Sequence, residues 1–313
     1  MSAFSGAASG RLPFLLAGLL MLAGCSTGAI LGGLTPGGGS TRVDDIAYGP
    51  DPRQRLDVYR PAPETTRDAA PGTGAPVVVF FYGGSWNNGS RETFGFIGKA
   101  LAARGFVAVL ADYRLYPQVR YPEFLKDGAA AVGWTIREVA AHGGDPKRLF
   151  LMGHSAGAYN AAMLSLDPRW LNAIGLSPSQ LSGWIGLAGP YDFLPIRNPD
   201  VKPVFHHPDY PQDSQPIDYA NRSAPPTFLG AASVDSLVDP QRNSAQLAAR
   251  LEQAGVPTAL RFYPRANHIT LIGAFAGPFG WFGPVLDDVT DFIRSRSASG
   301  PRLPPLATRP EKL

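Results

Sequence analysis

Short, unbroken apolar runs constrain the fold of this chain more than any other feature. Residues 76–82 (PVVVFFY) and 106–111 (FVAVLA) are apolar at every position, and residues 148–152 (RLFLM) are nearly so. A strand with one solvent-exposed face alternates polar and apolar residues, whereas a continuously apolar strand is buried on both faces. Segments with helical spacing separate these runs, as in a mostly parallel sheet covered by helices on both sides. We therefore predict an α/β fold built on one twisted sheet.

Further elements of the same kind flank these runs. The other predicted strands are residues 56–59, 184–187, 227–229 and 259–263, and the predicted helices are residues 93–104, 123–141, 156–166 and 240–254. Closely spaced prolines in residues 190–226 interrupt the alternation of predicted strands and helices. Proline fixes φ and removes a backbone donor, so we expect this stretch to be an irregular insertion or small cap.

The N-terminal region has the pattern of a targeting segment. Arg11 precedes an apolar run at residues 12–23, which is too short to span a bilayer as a helix. The run ends in Leu22-Ala23-Gly24-Cys25, which resembles the lipobox of bacterial lipoprotein signal peptides. A buried N-terminal helix and a simple secretory signal cleaved nearby are the alternative interpretations.

The lipobox interpretation predicts where in the cell the protein is located. Residues 1–24 would be a signal peptide, and Cys25 would carry the lipid. Ser26, rather than Asp, at the next position resembles lipoproteins that are sorted to the outer membrane. Several acyl chains hold a protein firmly at a membrane, so we predict a lipid anchor that faces the periplasm. Cys25 is the single cysteine, which excludes an internal disulfide.

Composition divides the remainder of the chain. Residues 25–42 are small and Gly-rich and are predicted to form a flexible tether, residues 43–296 the folded domain, and residues 297–313 a Pro-rich tail. The net charge of +3 is scattered, which argues against a nucleic-acid partner. No Gly-x-Gly-x-x-Gly follows the first strand, which argues against a nicotinamide-dependent dehydrogenase.

Residues 153–157 (GHSAG) match the pattern Gly-x-Ser-x-Gly. They directly follow the strand at 148–152 and open the helix at 156–166, which is the context that this motif requires. The glycines leave room in a crowded strand-to-helix turn, and the amide that opens the helix points its N–H at a developing oxyanion. The pattern predicts Ser155 as a nucleophile and the Ala156 N–H as an oxyanion donor.

A second glycine motif, residues 82–86 (YGGSW), follows the strand at 76–82. Adjacent glycines allow backbone N–H groups to approach a substrate oxygen without interference from side chains. We predict that Gly83 and Gly84 complete an oxyanion hole with Ala156. A plain turn is the alternative interpretation.

Residues 44–294 resemble α/β-hydrolases of the esterase and lipase type with an HGG-W oxyanion motif, closest to the carboxylesterase, feruloyl esterase-like and arylformamidase-like branch. The resemblance is carried by YGGSW at 82–86, ADYRLYP at 111–117, GHSAGA at 153–158 and GPYD at 189–192. The leading histidine of that family is Tyr82 here, so a phenol must order the loop if any side chain does. The resemblance implies hydrolysis through an acyl-enzyme without a metal or organic cofactor, and triad residues in the order Ser, Asp, His.

Two aspartates compete for the position of the acid. Asp235 follows the strand at 227–229, and its role would be to accept the imidazole N–H and fix the tautomer. Asp239 directly precedes Pro240, where an aspartate is more naturally a helix N-cap. We therefore favour Asp235, with Asp239 as the alternative.

His268 is the predicted general base, because it follows the last predicted strand at 259–263. His154 lies inside the Gly-x-Ser-x-Gly turn, and its side chain is expected to point away from the hydroxyl. His206 and His207 form a pair in the insertion, but no spaced set of Cys, His or carboxylate residues accompanies them, so no metal site is predicted.

The sequence therefore favours hydrolysis of a short-chain or aryl ester. Trp86, together with Phe193, Phe205 and Tyr210, is a candidate for the substrate pocket, with plain packing as the alternative. An arylformamide is the second substrate class. A non-catalytic envelope-binding lipoprotein with the same fold is the alternative of another class. The oligomeric state stays open.

Overall fold

The apolar runs form the centre of an eight-stranded sheet in the computed structural model, which describes residues 24–66 and 74–297. The strands are β1 (Thr41–Ala47), β2 (Arg55–Arg60), β3 (Ala75–Phe81), β4 (Val107–Ala111), β5 (Gly144–His154), β6 (Gly183–Leu187), β7 (Thr227–Ala232) and β8 (Thr258–Tyr263). Their order is β1-β2-β4-β3-β5-β6-β7-β8. β1 and β2 are antiparallel to their neighbours, and β4, β3 and β5 to β8 run parallel. The predicted α/β architecture is confirmed.

Eight α-helices occur in the described part of the chain. They are α1 (Gly24–Leu34), α2 (Gly95–Ala103), α3 (Glu123–Glu138), α4 (Ala156–Leu166), α5 (Pro168–Asn172), α6 (Gln246–Gln253), α7 (His268–Gly273) and α8 (Val285–Ser297). A π-helical turn, Gln241–Ala245, leads into α6. Helix α4 has the predicted bounds, whereas α7 and α8 were not predicted.

The register of β3 shows that helices cover both faces of the sheet. Val78 pairs with Phe150, so these two side chains share a face, and the Phe150 ring meets Phe292 of α8 at 6.3 Å. Phe81 lies three residues beyond Val78 and therefore points to the other face. There it packs beside Gly128 of α3. Burial on both sides explains why β3 and β4 are apolar without alternation.

The N-terminal segment differs from the predicted flexible tether at residues 25–42. Helix α1 packs on the start of α2, where Gly28 lies against the backbone of Thr93, and Lys99 Nζ donates a hydrogen bond to the Gly32 carbonyl at 2.8 Å. The small residues that suggested a linker allow this close approach. Strand β1, which also begins inside the predicted tether, forms the exposed edge of the sheet.

The Pro-rich stretch at 190–226 is irregular, as predicted, and holds two short 3-10 helices, Lys202–Phe205 and Pro216–Tyr219. The predicted apolar signal run at 12–23 and residues 298–313 of the predicted tail lie outside the described residues. Within residues 24–66 and 74–297, no helix combines the length and apolar character needed to cross a membrane.

Candidate active site

Ser155 sits at a sharp turn between β5 and α4. Its φ is +54°, a left-handed conformation that L-residues rarely adopt. The turn is crowded, because a Cβ added to Gly153 or Gly157 would overlap backbone atoms of Gly157 or Phe81. The strained turn is held by the Ser155 N–H, which donates to the Leu187 carbonyl at 2.9 Å. The hydroxyl therefore projects from the carboxyl end of a central strand.

Three side chains predicted from separate segments meet at this turn. His268 Nε2 lies 2.9 Å from Ser155 Oγ, and His268 Nδ1 lies 2.7 Å from Asp235 Oδ2. A carboxylate only accepts hydrogen bonds, so Nδ1 carries the imidazole proton and leaves Nε2 to accept the serine hydrogen. The arrangement is that of a nucleophile, a base and an orienting acid.

The carboxylate of Asp235 is held in its ionised form. Burial favours the neutral acid, but the bond to His268 and the backbone N–H groups of Val238 and Leu237 outweigh it, and the pKa of Asp235 is lowered. These two amides donate to Oδ1 at 2.9 and 2.8 Å. Both carboxylate oxygens are therefore occupied, and one of them is aimed at the imidazole.

The two aspartates make different contacts in the structure. Asp239 Oδ1 accepts hydrogen bonds from the backbone N–H groups of Gln241 and Arg242 at 2.9 and 3.1 Å. It caps the helical segment that leads into α6, which is the alternative role considered for it.

The backbone that carries His268 is fixed from two sides. Asn267 begins α7 with a capping box, in which its side chain accepts from the N–H of Thr270 and the Thr270 hydroxyl accepts from the Asn267 N–H. On the other side, His154 Nε2 donates to the His268 carbonyl at 2.9 Å. Burial lowers the pKa of His154 to about 3, so this imidazole is neutral. His154 thus points away from the Ser155 hydroxyl, as predicted, and supports the base.

The loop after β3 presents two backbone N–H groups beside Ser155. None of the hydrogen bonds found in the described residues uses the N–H of Gly83 or Gly84, and both residues line the same cavity as Ser155. Gly84, Ser85 and Trp86 have φ values of +131°, +52° and +56°, so the loop turns through three consecutive left-handed residues. Ala156 opens α4 and has no partner four residues earlier within the helix. The three predicted oxyanion donors therefore belong to two segments that meet at Ser155.

Arg53 anchors this loop from inside the protein, and the sequence interpretation missed it. Its Nη2 donates to the Tyr82 hydroxyl at 3.0 Å and to the Gly89 carbonyl, and its Nε donates to the Tyr113 carbonyl at 2.8 Å. The rings of Tyr82 and Tyr113 stack at 4.8 Å. Burial, with the nearby Asp112 carboxylate, raises the pKa of Tyr82 well above its usual value, so the phenol stays neutral. The phenol that replaces the family's histidine is thus part of a defined network.

An apolar cavity of about 620 Å³ opens beside Ser155 and His268. Its walls come from distant parts of the chain: Leu31 of α1, Phe94, Phe96, Ile272 of α7, Phe279 and Phe282. No local motif joins these segments, so they could not be predicted as a set from the sequence. The cavity can receive an apolar group next to the nucleophile.

With the site defined, comparison with known proteins places the chain in a family. The model of the family BD-FAE matches residues 56–251, which include Ser155 and Asp235 and make up more than half of the chain. The chain belongs to the BD-FAE family.

Relatives of this BD-FAE family member include named esterases. Esterase LipC of Mycobacterium tuberculosis is 31% identical over 62% of this chain and 51% of its own length. Isoprenylcysteine alpha-carbonyl methylesterase ICME of Arabidopsis thaliana is 28% identical over 82% of this chain and 62% of its own length. The chain thus spans about half of LipC and under two thirds of ICME.

Solved structures of esterases share the fold. The hyperthermophilic esterase from the archaeon Pyrobaculum calidifontis superposes with a TM-score of 0.68 at 22% identity, over 90% of this chain and 97% of that chain. The predicted α/β-hydrolase fold is confirmed.

Trp86 of this BD-FAE family member does not line the cavity, which corrects its assignment to the substrate pocket. Its indole is buried, donates to Asn160 Oδ1 at 3.0 Å, and meets the rings of Tyr159 and Phe205 at 5.1 and 5.0 Å. Trp86 has a left-handed φ, and its side chain points into the protein. The indole therefore supports the predicted oxyanion loop from the protein interior. Phe193, Phe205 and Tyr210 also lie outside the lining of this cavity.

The histidine pair of the insertion has other contacts. His206 Nε2 donates to the Tyr121 carbonyl at 2.7 Å, and the His207 ring lies 5.4 Å from that of Tyr210. Among the described residues, no group of three or more His, Cys, Asp or Glu side chains is placed to hold a metal ion.

Proposed function

We propose that this protein is a serine hydrolase that cleaves carboxylic esters through an acyl-enzyme on Ser155. The observation that carries the proposal is the hydrogen-bonded series Ser155–His268–Asp235, with distances of 2.9 and 2.7 Å, at the edge of an apolar cavity. Relatives named as esterases support the ester as the bond cleaved.

In the first half-reaction, Ser155 Oγ attacks the acyl carbon while His268 Nε2 takes the hydroxyl proton. The N–H groups of Gly83, Gly84 and Ala156 stabilise the oxyanion, and each such donor contributes about 3 kcal/mol of transition-state stabilisation. Asp235 stabilises the imidazolium, which then protonates the departing alcohol.

In the second half-reaction, water attacks the acyl-enzyme. His268 removes a proton from this water and returns it to Ser155 Oγ, which releases the carboxylic acid. Every proton movement passes through Nε2, so Nδ1 stays bonded to Asp235 throughout.

The cavity supports an apolar acyl or aryl substituent beside the ester. Phenylalanine and isoleucine side chains form much of its wall, and the lining drawn from the described residues contains no Asp, Glu, Lys or Arg. Short-chain and aryl esters, the substrates favoured by the sequence, fit this chemistry.

The proposal is tested by hydrolysis of p-nitrophenyl acetate, butyrate and decanoate by purified protein of residues 26–313. We expect Ser155→Ala to abolish hydrolysis and Ser179→Ala, at an exposed serine remote from the site, to leave it unchanged. If Ser155→Ala hydrolyses these esters at the same rate as the unmodified protein, the proposed function is wrong. Labelling of Ser155 by a fluorophosphonate then separates an amide hydrolase, such as an arylformamidase, from a non-catalytic envelope protein.

We propose further that Cys25 carries a lipid that anchors the protein in the outer membrane, facing the periplasm. The support is the pattern Leu22-Ala23-Gly24-Cys25 after Arg11 and the apolar run at 12–23. Metabolic labelling with palmitate should mark the protein and be lost in Cys25→Ala, and globomycin should block processing. An unlabelled protein would refute the anchor without bearing on the esterase.

A further inference from the structure

Most of the large apolar side chains that are exposed in the described residues belong to segments that border one cavity. Seven such residues are exposed in the described part of the chain: Ile30, Leu34, Ile174, Val234, Leu237, Ile269 and Trp281. Scattered apolar residues are normal on protein surfaces, whereas a contiguous group marks an interaction site.

Every one of these residues except Ile174 belongs to segments that border the active-site cavity. Leu237 and Ile269 line it directly, and their exposed fractions are 67% and 44%. Trp281, 52% exposed, lies between the lining residues Phe279 and Phe282. We call Ile30, Leu34, Val234, Leu237, Ile269 and Trp281 the apolar rim.

Helix α1 supplies two residues of this rim. Leu31 faces the cavity, while Ile30 and Leu34 of the same helix are each 45% exposed. Val234, 75% exposed, directly precedes the triad residue Asp235. The same helix and the same turn therefore carry apolar groups both into the cavity and out to the surface.

The apolar surface continues from the rim to the nucleophile. Leu31, Phe94 and Phe279 line the cavity, and no Asp, Glu, Lys or Arg of the described residues interrupts the lining. An acyl chain that enters from the rim would meet a lining that is mainly apolar and otherwise uncharged, which lowers the cost of transfer out of a lipid layer.

The position of the rim identifies its occupant as a lipid surface. Cys25, the proposed lipid attachment, precedes the cavity residue Gly28 by three positions in α1, a rise of about 4.5 Å along a helix. A lipid at Cys25 would hold this end of α1 at the membrane. An exposed tryptophan such as Trp281 suits the boundary between lipid and water.

We propose that the apolar rim docks on a lipid bilayer and that the enzyme draws amphipathic esters with medium or long acyl chains directly from it. This inference rests on the proposed ester hydrolysis for its substrate, and on the proposed anchor for its orientation. It extends the proposed substrates from small soluble esters to lipid esters.

The test uses protein of residues 26–313, which lacks the proposed lipid. This protein contains every described residue except Gly24 and Cys25. Vesicles of phosphatidylethanolamine and phosphatidylglycerol are sedimented with this protein, with the double variant Ile30→Ser/Leu34→Ser, and with Ile174→Ser as the matched control. Ile174 is equally exposed but lies after α5, outside the cavity wall. We expect the rim variant to bind vesicles at least about tenfold more weakly, and Ile174→Ser to bind normally.

Activity separates docking from chemistry. All three proteins should hydrolyse soluble p-nitrophenyl acetate equally, whereas the rim variant alone should lose most hydrolysis of p-nitrophenyl decanoate embedded in the vesicles. Equal vesicle binding by all three proteins would overturn the proposal, as would light scattering that shows the rim variant has lost a dimer, since a second copy would then cover the rim. Normal docking without p-nitrophenyl acetate hydrolysis would instead count against the proposed function.

Discussion

Replacing Arg53 by methionine tests whether the buried network positions the oxyanion loop. Methionine keeps an unbranched apolar stem but removes three hydrogen bonds, to Tyr82, Gly89 and Tyr113. Bonds from charged donors contribute roughly 1.5–3 kcal/mol each when fully buried. Arg53 is only partly buried and Gly89 borders the cavity, where water can replace the lost donor. We therefore take about 1 kcal/mol for each and expect a loss of about 3 kcal/mol in the free energy of unfolding.

The effect on catalysis follows from the same contacts. Tyr82 and Gly89 flank Gly83 and Gly84, so a loosened loop misplaces the oxyanion donors. Loss of a single donor lowers kcat by about 100-fold or more, and partial misplacement should cost about 10- to 100-fold. KM should change by less than about threefold, because the leucine, isoleucine and phenylalanine side chains that line the cavity are unchanged.

The assay combines urea unfolding with kcat and KM for p-nitrophenyl butyrate, measured where every variant is folded. Arg55→Met is the matched control, since the side chain of Arg55 makes one exposed contact of 3.4 Å to the Asp45 carbonyl. Arg53→Lys keeps the charge without the planar fork and should be intermediate. A folded Arg53→Met protein with unchanged kcat would refute the positioning role.

Three further predictions concern the triad, its support and α1. Asp235→Asn should lower kcat by about 10⁴-fold, whereas Asp239→Asn keeps an N-cap acceptor and should change stability and activity little, and equal activity losses in p-nitrophenyl butyrate assays would contradict the assignment. His154, whose pKa falls from 6.5 to about 3 on folding, resists protonation only in the folded state, so stability should fall as the pH drops from about 6.5 towards 3. Urea titrations should show this decline, by at most about 1.4 kcal/mol per pH unit, and His154→Gln should flatten it; parallel curves would count against a neutral His154. Gly28→Leu should displace α1 from Thr93, because even a Cβ would lie 2.5 Å from the Thr93 carbonyl oxygen. The displacement should alter the ratio of the hydrolysis rates for acetate and decanoate esters. An unchanged ratio would exclude α1 as a cavity wall.

Features encoded within a few consecutive residues could be predicted from the sequence. The bounds of α4 were correct, and the central strands were located, because continuous apolar runs and the Gly-x-Ser-x-Gly turn act locally. Ser155 and the glycines of the predicted oxyanion loop could be selected for the same reason, since each directly follows a strand, and His268 was selected because it lies in the segment after the last strand. The sequence left Asp239 as an alternative to Asp235, and the tertiary structure places Asp235 against His268 and Asp239 at the start of a helical segment.

The errors arise where composition and contact disagree. Residues 25–34 have the composition of a linker, yet small side chains also let a helix pack closely, and only the surface of α2 shows which outcome applies. Trp86 was a reasonable pocket residue in its motif, but its backbone conformation directs the indole inward.

The sequence by itself determined the central strands and the nucleophile turn, because short-range patterns of burial and glycine specify them, whereas the order Ser155, Asp235, His268 was implied by the resemblance to α/β-hydrolases. Only the tertiary structure decided that Arg53 reaches Tyr82 across 29 positions, and that α1 and α7 close one cavity. Such contacts depend on how the strands and helices pack, and no local pattern in the chain records the distance between them.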